Sequence, residues 1–340
     1  MGPAGQERDA DPRRVRDRGP DGGRGGETVT SGVTWRDGRT GERHREDAQV
    51  VVLAGGATET PRLWLNSGLP NPNGWVGRGF TDHFLDGVTG LFDEETGSSK
   101  GPSSAARCDF PGHGCLEGLG LPPAMQAFSM ALSDSGVRGR YTNGRGMTGP
   151  WDGPAGRVIG PELKEALGHG VNRLLNILIL TGDDVQHRNR VLTSVFPPDE
   201  HGAVPKVVID GRARTRRTTA GREFLARKAT ELLRKAGART VYRFDWAPLL
   251  LHVHSSMRMG GSEADSVLTA DAESRWVRRL YVADNSALAN SLGGPNPTLT
   301  TQALATRTAE RILVRHFGGL PWVRSEAPVV STDARVTRAL

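Results

Sequence analysis

The stretch Leu280-Tyr281-Val282-Ala283-Asp284-Asn285-Ser286 reads as a buried strand ending in an acid. Open α/β sheets hold their ligands at such carboxyl ends. Downstream, Gly293-Gly294-Pro295-Asn296-Pro297-Thr298-Leu299-Thr300 reads as a helix start, with Asn296 at the N-cap, Pro297 at the first helical position and hydroxyl residues in the first turn. Leu299, Ala303, Thr306, Ala309 and Leu313 then recur at helical spacing. A helix N-terminus presents free N–H groups and a positive dipole end, where developing negative charge is stabilised.

Upstream lies Leu251-His252-Val253-His254-Ser255-Ser256-Met257-Arg258-Met259-Gly260-Gly261. His-x-His on a strand puts both imidazoles on one face, which is how a metal site begins. No further ligand is suggested by spacing, so no metal is expected and His254 is taken as a neighbour. For His252 the competing interpretation is a structural histidine before a turn.

Further out, Val51–Ala54 reads as a strand, Gly55-Gly56-Ala57 as a strand-to-helix turn, and the residues up to Gly68 as a helix with Pro61 near its first turn. A hairpin turning at Asp37-Gly38-Arg39 precedes it. In the middle block, Val171–Thr181 is a dense apolar run, Arg190–Thr193 and Val207–Ile209 are strands, and Thr218 or Thr219 caps an amphipathic helix that stops at Gly237. Val241–Trp246 is a further strand. The fold class is α/β with mixed α+β character: a partial Rossmann-like nucleotide-binding domain joined to a substrate domain built on an antiparallel sheet flanked by helices.

Net charge of +6 invites a nucleic-acid function, but the aromatic residues, 6% of the chain, do not interleave with arginine runs such as Gly211–Arg217 to make stacking platforms. The longest apolar candidate, Leu174–Leu180, is too short to span a bilayer. The start has no apolar core behind its charges, so a cytoplasmic setting is the default. Two cysteines, Cys108 and Cys115, are too few for a disulfide framework.

In order and spacing, the three C-terminal pieces resemble the signature of the glucose–methanol–choline (GMC) flavoprotein oxidoreductases. Val51–Leu63 and Val76-Gly77-Arg78-Gly79-Phe80-Thr81-Asp82-His83 resemble two further segments of that family. The resemblance implies FAD as cofactor and a small-molecule alcohol or sugar as substrate, with the hydroxyl proton going to a histidine and hydride to flavin N5. It implies His252 as the base and Asn296 as its hydrogen-bonding partner. It also sets Gly55 and Gly56 by the ADP side of the cofactor, Asp284 and Asn285 near its ribityl–pyrophosphate, and Pro297 and Thr298 at the flavin edge. Asp82-His83 is taken as structural.

The chain departs from the family in three places. Ser255 stands where Gly is usual, the bulky Glu273-Ser274-Arg275-Trp276 precedes the Asp284 strand, and no βαβ unit with G-x-G-x-x-G precedes Val51. The literal match, Gly144-Arg145-Gly146-Met147-Thr148-Gly149, has no strand before it and no helix after it, so it is a decoy. The expectation is therefore a chain lacking the N-terminal FAD-binding unit, truncated or one half of a split enzyme with a separate N-terminal flavin-binding chain as partner. A non-catalytic remnant is the alternative. Residues 1–30 are expected to be disordered, 31–84 a remnant of the FAD domain, 85–245 the substrate domain, 246–317 the catalytic segment and 318–340 a loose tail.

Overall fold

The computed structural model describes residues 16–17, 28–83, 85–104, 106–132, 160–209, 215–244, 251–294 and 296–321. Most of residues 1–30, the Gly144–Gly149 stretch and the tail beyond residue 321 lie outside these. In chain order the elements are β1 (Gly32–Arg36), β2 (Arg43–Asp47), β3 (Val51–Leu53), α1 (Gly56–Asn66), β4 (Leu85–Leu91), β5 (Arg107–Phe110), β6 (Gly114–Leu119), α2 (Pro123–Leu132) and α3 (Gly160–Gly170). They continue with β7 (Leu174–Thr181), β8 (Arg190–Thr193), β9 (Pro205–Val208), α4 (Arg216–Lys235), β10 (Thr240–Phe244), β11 (Leu280–Val282) and α5 (Thr298–Phe317). A short ladder also joins Arg16–Asp17 to Thr28–Val29.

The hairpin of β1 and β2 turns on Asp37, whose side chain accepts the N–H groups of Arg39 at 2.7 Å and Thr40 at 2.9 Å. β3 then pairs in parallel with β11, Val51 opposite Leu280 and Leu53 opposite Val282. Val51, Leu53, Leu280 and Val282 are buried in one core with Trp64, Met257, Leu268 and Val277. A parallel pair needs a crossover, and here it spans most of the chain.

That crossover is the five-stranded antiparallel sheet, in the order β10-β4-β7-β6-β5. Leu225, Ala226, Ala229 and Leu233 of α4 pack across one face of it, against Val88, Leu116, Ile179 and Val241. Each fully buried Leu here contributes about 1.5–3 kcal/mol. Beneath α4, Asp86 of β4 accepts hydrogen bonds from Arg222 of α4 at 2.7 Å and from Nη2 of Arg243 of β10 at 2.7 Å, with all three side chains buried. Burial works to raise the Asp86 carboxyl, but the two guanidinium groups hold it below its ordinary value. The mixed α/β architecture with an antiparallel sheet is thus the one expected from sequence.

Three local expectations need correction. The helix-starting hydroxyl before α4 is Thr215, whose Oγ1 accepts the N–H of Thr218 at 3.1 Å. Thr218 and Thr219 lie inside the helix, because the residues before them already adopt helical geometry. Pro61 sits in the body of α1, not in its first turn. Proline cannot donate to the carbonyl four residues back, and Ser256 takes that place, its hydroxyl donating to the Ala57 carbonyl at 2.6 Å. Finally, α5 has its N-cap at Pro297, with no side-chain cap bond, so the Asn296 side chain is not used for capping.

Candidate active site

The two parallel strands end together, and Asp284 joins them. Its Oδ2 accepts the N–H of Gly56 at 2.9 Å and the hydroxyl of Thr60 at 2.6 Å, while its Oδ1 accepts the N–H of Ser286 at 2.7 Å. Asp284 therefore caps α1 from a distant part of the sequence, and the Gly55–Gly56 turn is held from outside. Gly56 has φ +86, and a side chain there would meet nothing within 4 Å, so this turn faces open space.

The His252–Gly261 segment is laid alongside β11's exit by backbone bonds. Ser255, Met257 and Met259 donate to the carbonyls of Asn285 at 3.1 Å, Ser286 at 2.9 Å and Ala287 at 3.0 Å. Ser255 adopts φ +69, a left-handed conformation that explains why glycine suits the position. Arg258 fastens the loops with bonds to the Ala289 carbonyl at 3.2 Å and the Asp265 carbonyl at 3.0 Å. Gly260 is required by space, since a Cβ there would lie 2.8 Å from that of Ser266.

His252 and His254 both pack edge-on against His83, with ring centroids 5.2 and 5.4 Å away. His254 makes an isolated bridge to Thr81, and the Ser255 turn follows at once. His254 is fully buried, and among the described residues no group of side chains could hold a metal ion.

His252 is half-buried. The carboxylate of Asp82 accepts its backbone N–H at 2.9 Å and that of Leu251 at 3.1 Å. Its Nδ1 lies 3.1 Å from Nδ1 of His83, whose Nε2 is 2.8 Å from the Ser291 carbonyl. Asp82-His83 is therefore more than a structural crossing: one residue holds the main chain of His252 and the other its ring. Burial lowers the His252 pKa, and the nearby Glu117 acts the other way. Burial also raises the Asp82 carboxyl to about 7, against the backbone N–H groups that favour its charged form.

Asn296 arrives from the other direction. The chain before it crosses the end of the antiparallel sheet so closely that a Cβ on Gly294 would sit 3.1 Å from Gly114 Cα and from the Leu180 carbonyl oxygen. The Asn296 amide then donates to Glu117 of β6 at 3.4 Å, and Arg107 donates to the other oxygen of that carboxylate at 3.0 Å. Glu117 is the group that His252 and Asn296 share. Pairing on β6 gave no hint of it, because Glu117 stands alone in an apolar strand without a motif around it. His83 could have been suspected from its place beside Asp82.

Of the remaining sequence-derived residues, Asn285 accepts the Thr301 hydroxyl and so ties the strand end to the first turn of α5. Pro297 and Thr298 form the start of that helix, and the Pro297 carbonyl accepts the Thr301 N–H at 2.7 Å.

A parallel pair has a glycine turn and helix at its carboxyl end, and beside it lies an antiparallel sheet whose Glu117 meets the Asn296 amide; together they make a mixed α/β architecture. GMC oxidoreductase family models match residues 24–85 for the N-terminal domain and 205–305 for the C-terminal one. Over these two stretches the chain is similar to the GMC oxidoreductases. It is 27% identical over 302 residues to 2-methyl-1,2-propanediol dehydrogenase of Mycolicibacterium austroafricanum, covering 83% of this chain and 51% of that protein. It is 30% identical over 294 residues to paromamine 6'-oxidase of Streptomyces fradiae, covering 82% and 47%. The fold matches that of Aspergillus oryzae formate oxidase with a TM-score of 0.56 at 14% identity, covering 85% of this chain and 58% of that one.

The chain spans about half the length of the curated relatives it matches. The N-terminal match corrects the expectation that the N-terminal unit is missing, since part of that domain is present at residues 24–85. A separate flavin-binding chain draws no support from these matches. FAD is implied by the family. Two observations agree with a dinucleotide at the strand ends: the open side of Gly56, and the Ser286 hydroxyl, buried beside Asp284 without a hydrogen-bond partner among the described residues. No helix among the described residues is long and apolar enough to cross a membrane.

Proposed function

We propose that this chain is part of an FAD-dependent oxidoreductase acting on CH–OH donors, an alcohol or a sugar. His252 takes the hydroxyl proton and Asn296 holds the same oxygen. The observation that carries this is the shared carboxylate: Asn296 bonds to Glu117, and Glu117 acts electrostatically on His252. The relatives named above as a diol dehydrogenase and an oxidase support the reaction class.

Bound FAD would supply the hydride acceptor. The protein's own part is positional and electrostatic. Burial keeps the His252 imidazole neutral near neutral pH, so that it can accept a proton, and Glu117 favours the imidazolium once it forms. Asn296 is exposed ahead of α5 with an amide free of capping duty. It would orient the alcohol oxygen so that its C–H faces the cofactor. The start of α5, lacking a side-chain cap, offers its dipole to negative charge. Gly55, Gly56, Asp284 and Asn285 would line the dinucleotide side. In this reading residues 31–84 and 246–317 form the flavin side and 85–245 the substrate side.

The test is to titrate the purified chain with FAD, following flavin fluorescence, and then to assay a panel of alcohols and sugars for substrate-dependent dye reduction. Dye reduction that drops about 10²-fold or more in His252→Ala supports the reading. Dye reduction unaffected by that change would refute it.

A further inference from the structure

His83 is the strongest feature that the proposed function leaves unused. It is fully buried, it belongs to none of the family-derived site residues, and both its ring nitrogens are engaged. We propose that His83 is a positioning residue that fixes the tautomer of His252, so that Nε2 is the nitrogen left to accept a proton. The proposal rests on His252 being the proton acceptor of the site.

The run of hydrogen bonds starts at the Ser291 carbonyl. A carbonyl oxygen only accepts, so His83 Nε2, 2.8 Å away, carries a hydrogen. A neutral imidazole has one N–H, which leaves Nδ1 of His83 with a lone pair. Facing it at 3.1 Å is Nδ1 of His252. Two ring nitrogens at that distance share one hydrogen, and His83 has none to give on that side. The hydrogen therefore sits on Nδ1 of His252, and Nε2 of His252 keeps its lone pair.

The chain has this direction only while His83 is neutral, and its surroundings secure that. Burial draws its pKa down to about 4, and Arg107 and His252 both disfavour a second positive charge. His254, edge-on at 5.4 Å between ring centroids, is drawn by burial to about 3 and adds no charge at neutral pH. Asp82 faces the backbone of His252, and Glu117 acts on its imidazole. When Nε2 takes a proton from a hydroxyl, the O–H bond breaks and an Nε2–H bond forms. The imidazolium still donates its Nδ1–H to His83, so nothing in the chain has to reverse. Ring orientation and proton placement are thus set by one second histidine, as an outer partner sets the tautomer of a working imidazole elsewhere.

The experiment is long-range ¹⁵N–¹H correlation NMR on the full chain labelled in histidine, at neutral pH and without cofactor. His252→Gln identifies the His252 signals by their loss. In the wild type, His252 is expected as the Nδ1–H tautomer and His83 as the Nε2–H tautomer. His83→Gln should preserve the His252 tautomer, because a carboxamide can donate to Ser291 and accept from His252. His83→Phe should lose that preference and show both tautomers. A wild-type His252 protonated on Nε2 overturns the proposal, and so does an unchanged His252 tautomer in His83→Phe. Should His83→Phe not fold, the wild-type assignment and His83→Gln decide alone. If the tautomers are as stated but FAD-loaded His252→Gln oxidises alcohols at the wild-type rate, the base assignment fails while the positioning role stands.

Discussion

Asp284, at the end of one parallel strand, caps the helix that follows the other: its carboxylate accepts the Gly56 N–H at 2.9 Å and the Thr60 hydroxyl at 2.6 Å. The two segments of the parallel pair are far apart in sequence, and this bond fixes how their ends meet. Asp284→Ala leaves a helix-start N–H and a buried hydroxyl without an acceptor. The expected loss is about 2–3 kcal/mol, read as a lower urea midpoint at unchanged slope. Asp284→Asn keeps one acceptor for Gly56 and should lose less.

Asp86, Arg222 and Arg243 form a buried charged cluster joining β4, α4 and β10. Removing Asp86 takes the buried carboxylate from both guanidinium groups, while Arg243 keeps Glu223 at 2.8 Å. Asp86→Ala should cost about 3–5 kcal/mol by denaturant unfolding. A surface pair such as Lys228–Glu231, 2.8 Å apart on α4, should give less than about 1 kcal/mol when broken.

Acid should weaken the fold in a defined window. His83 and His254 stay neutral to about 4 and about 3, whereas the unfolded chain's histidines bind protons near 6.5. Below 6.5 the unfolded state therefore binds more protons than the native one, and stability falls as pH drops toward 4. Each gap is worth about 3–5 kcal/mol at most. Asp82 works in the opposite sense, because its native carboxyl at about 7 binds a proton before the unfolded one does at 3.8. The two imidazoles outweigh it. Unfolding midpoints measured from pH 7 to 4 should fall, and stay nearly level in His83→Gln, where His254 and Asp82 almost cancel.

Gly294 and its neighbour Gly293 should respond differently to alanine. Both have positive φ, +108 and +77, but only at Gly294 would the new methyl press on backbone, 3.1 Å from Gly114 and Leu180. Gly293→Ala should cost about 1 kcal/mol of stability. Gly294→Ala should cost more and also displace Asn296, lowering alcohol-dependent dye reduction of the FAD-loaded protein by about tenfold or more.

Much of this was legible in the sequence because it rests on local rules. The apolar runs at Val51–Leu53 and Leu280–Val282 announced buried strands, the Asp37 turn announced a hairpin, and Gly237 marked the end of α4. Helix starts were harder: Thr215 caps α4 three or four residues before the expected Thr218 or Thr219, and Pro297 caps α5 one residue after the expected Asn296, since several neighbouring residues could each take the cap geometry. What the sequence could not carry were partnerships across the fold. The bond from Ser256 to the carbonyl freed by Pro61, the Asp284 cap on Gly56, and the meeting of His83, Glu117, His252 and Asn296 all join segments with no shared periodicity.

The central claim is that His252 and Asn296 serve one substrate oxygen. A crystal structure of the chain with FAD and an alcohol analogue tests it most directly. The account predicts His252 Nε2 and the Asn296 amide both within about 3.5 Å of the analogue's hydroxyl oxygen, over one flavin face. An analogue bound with either side chain turned away from that oxygen, or a flavin seated elsewhere, would contradict it.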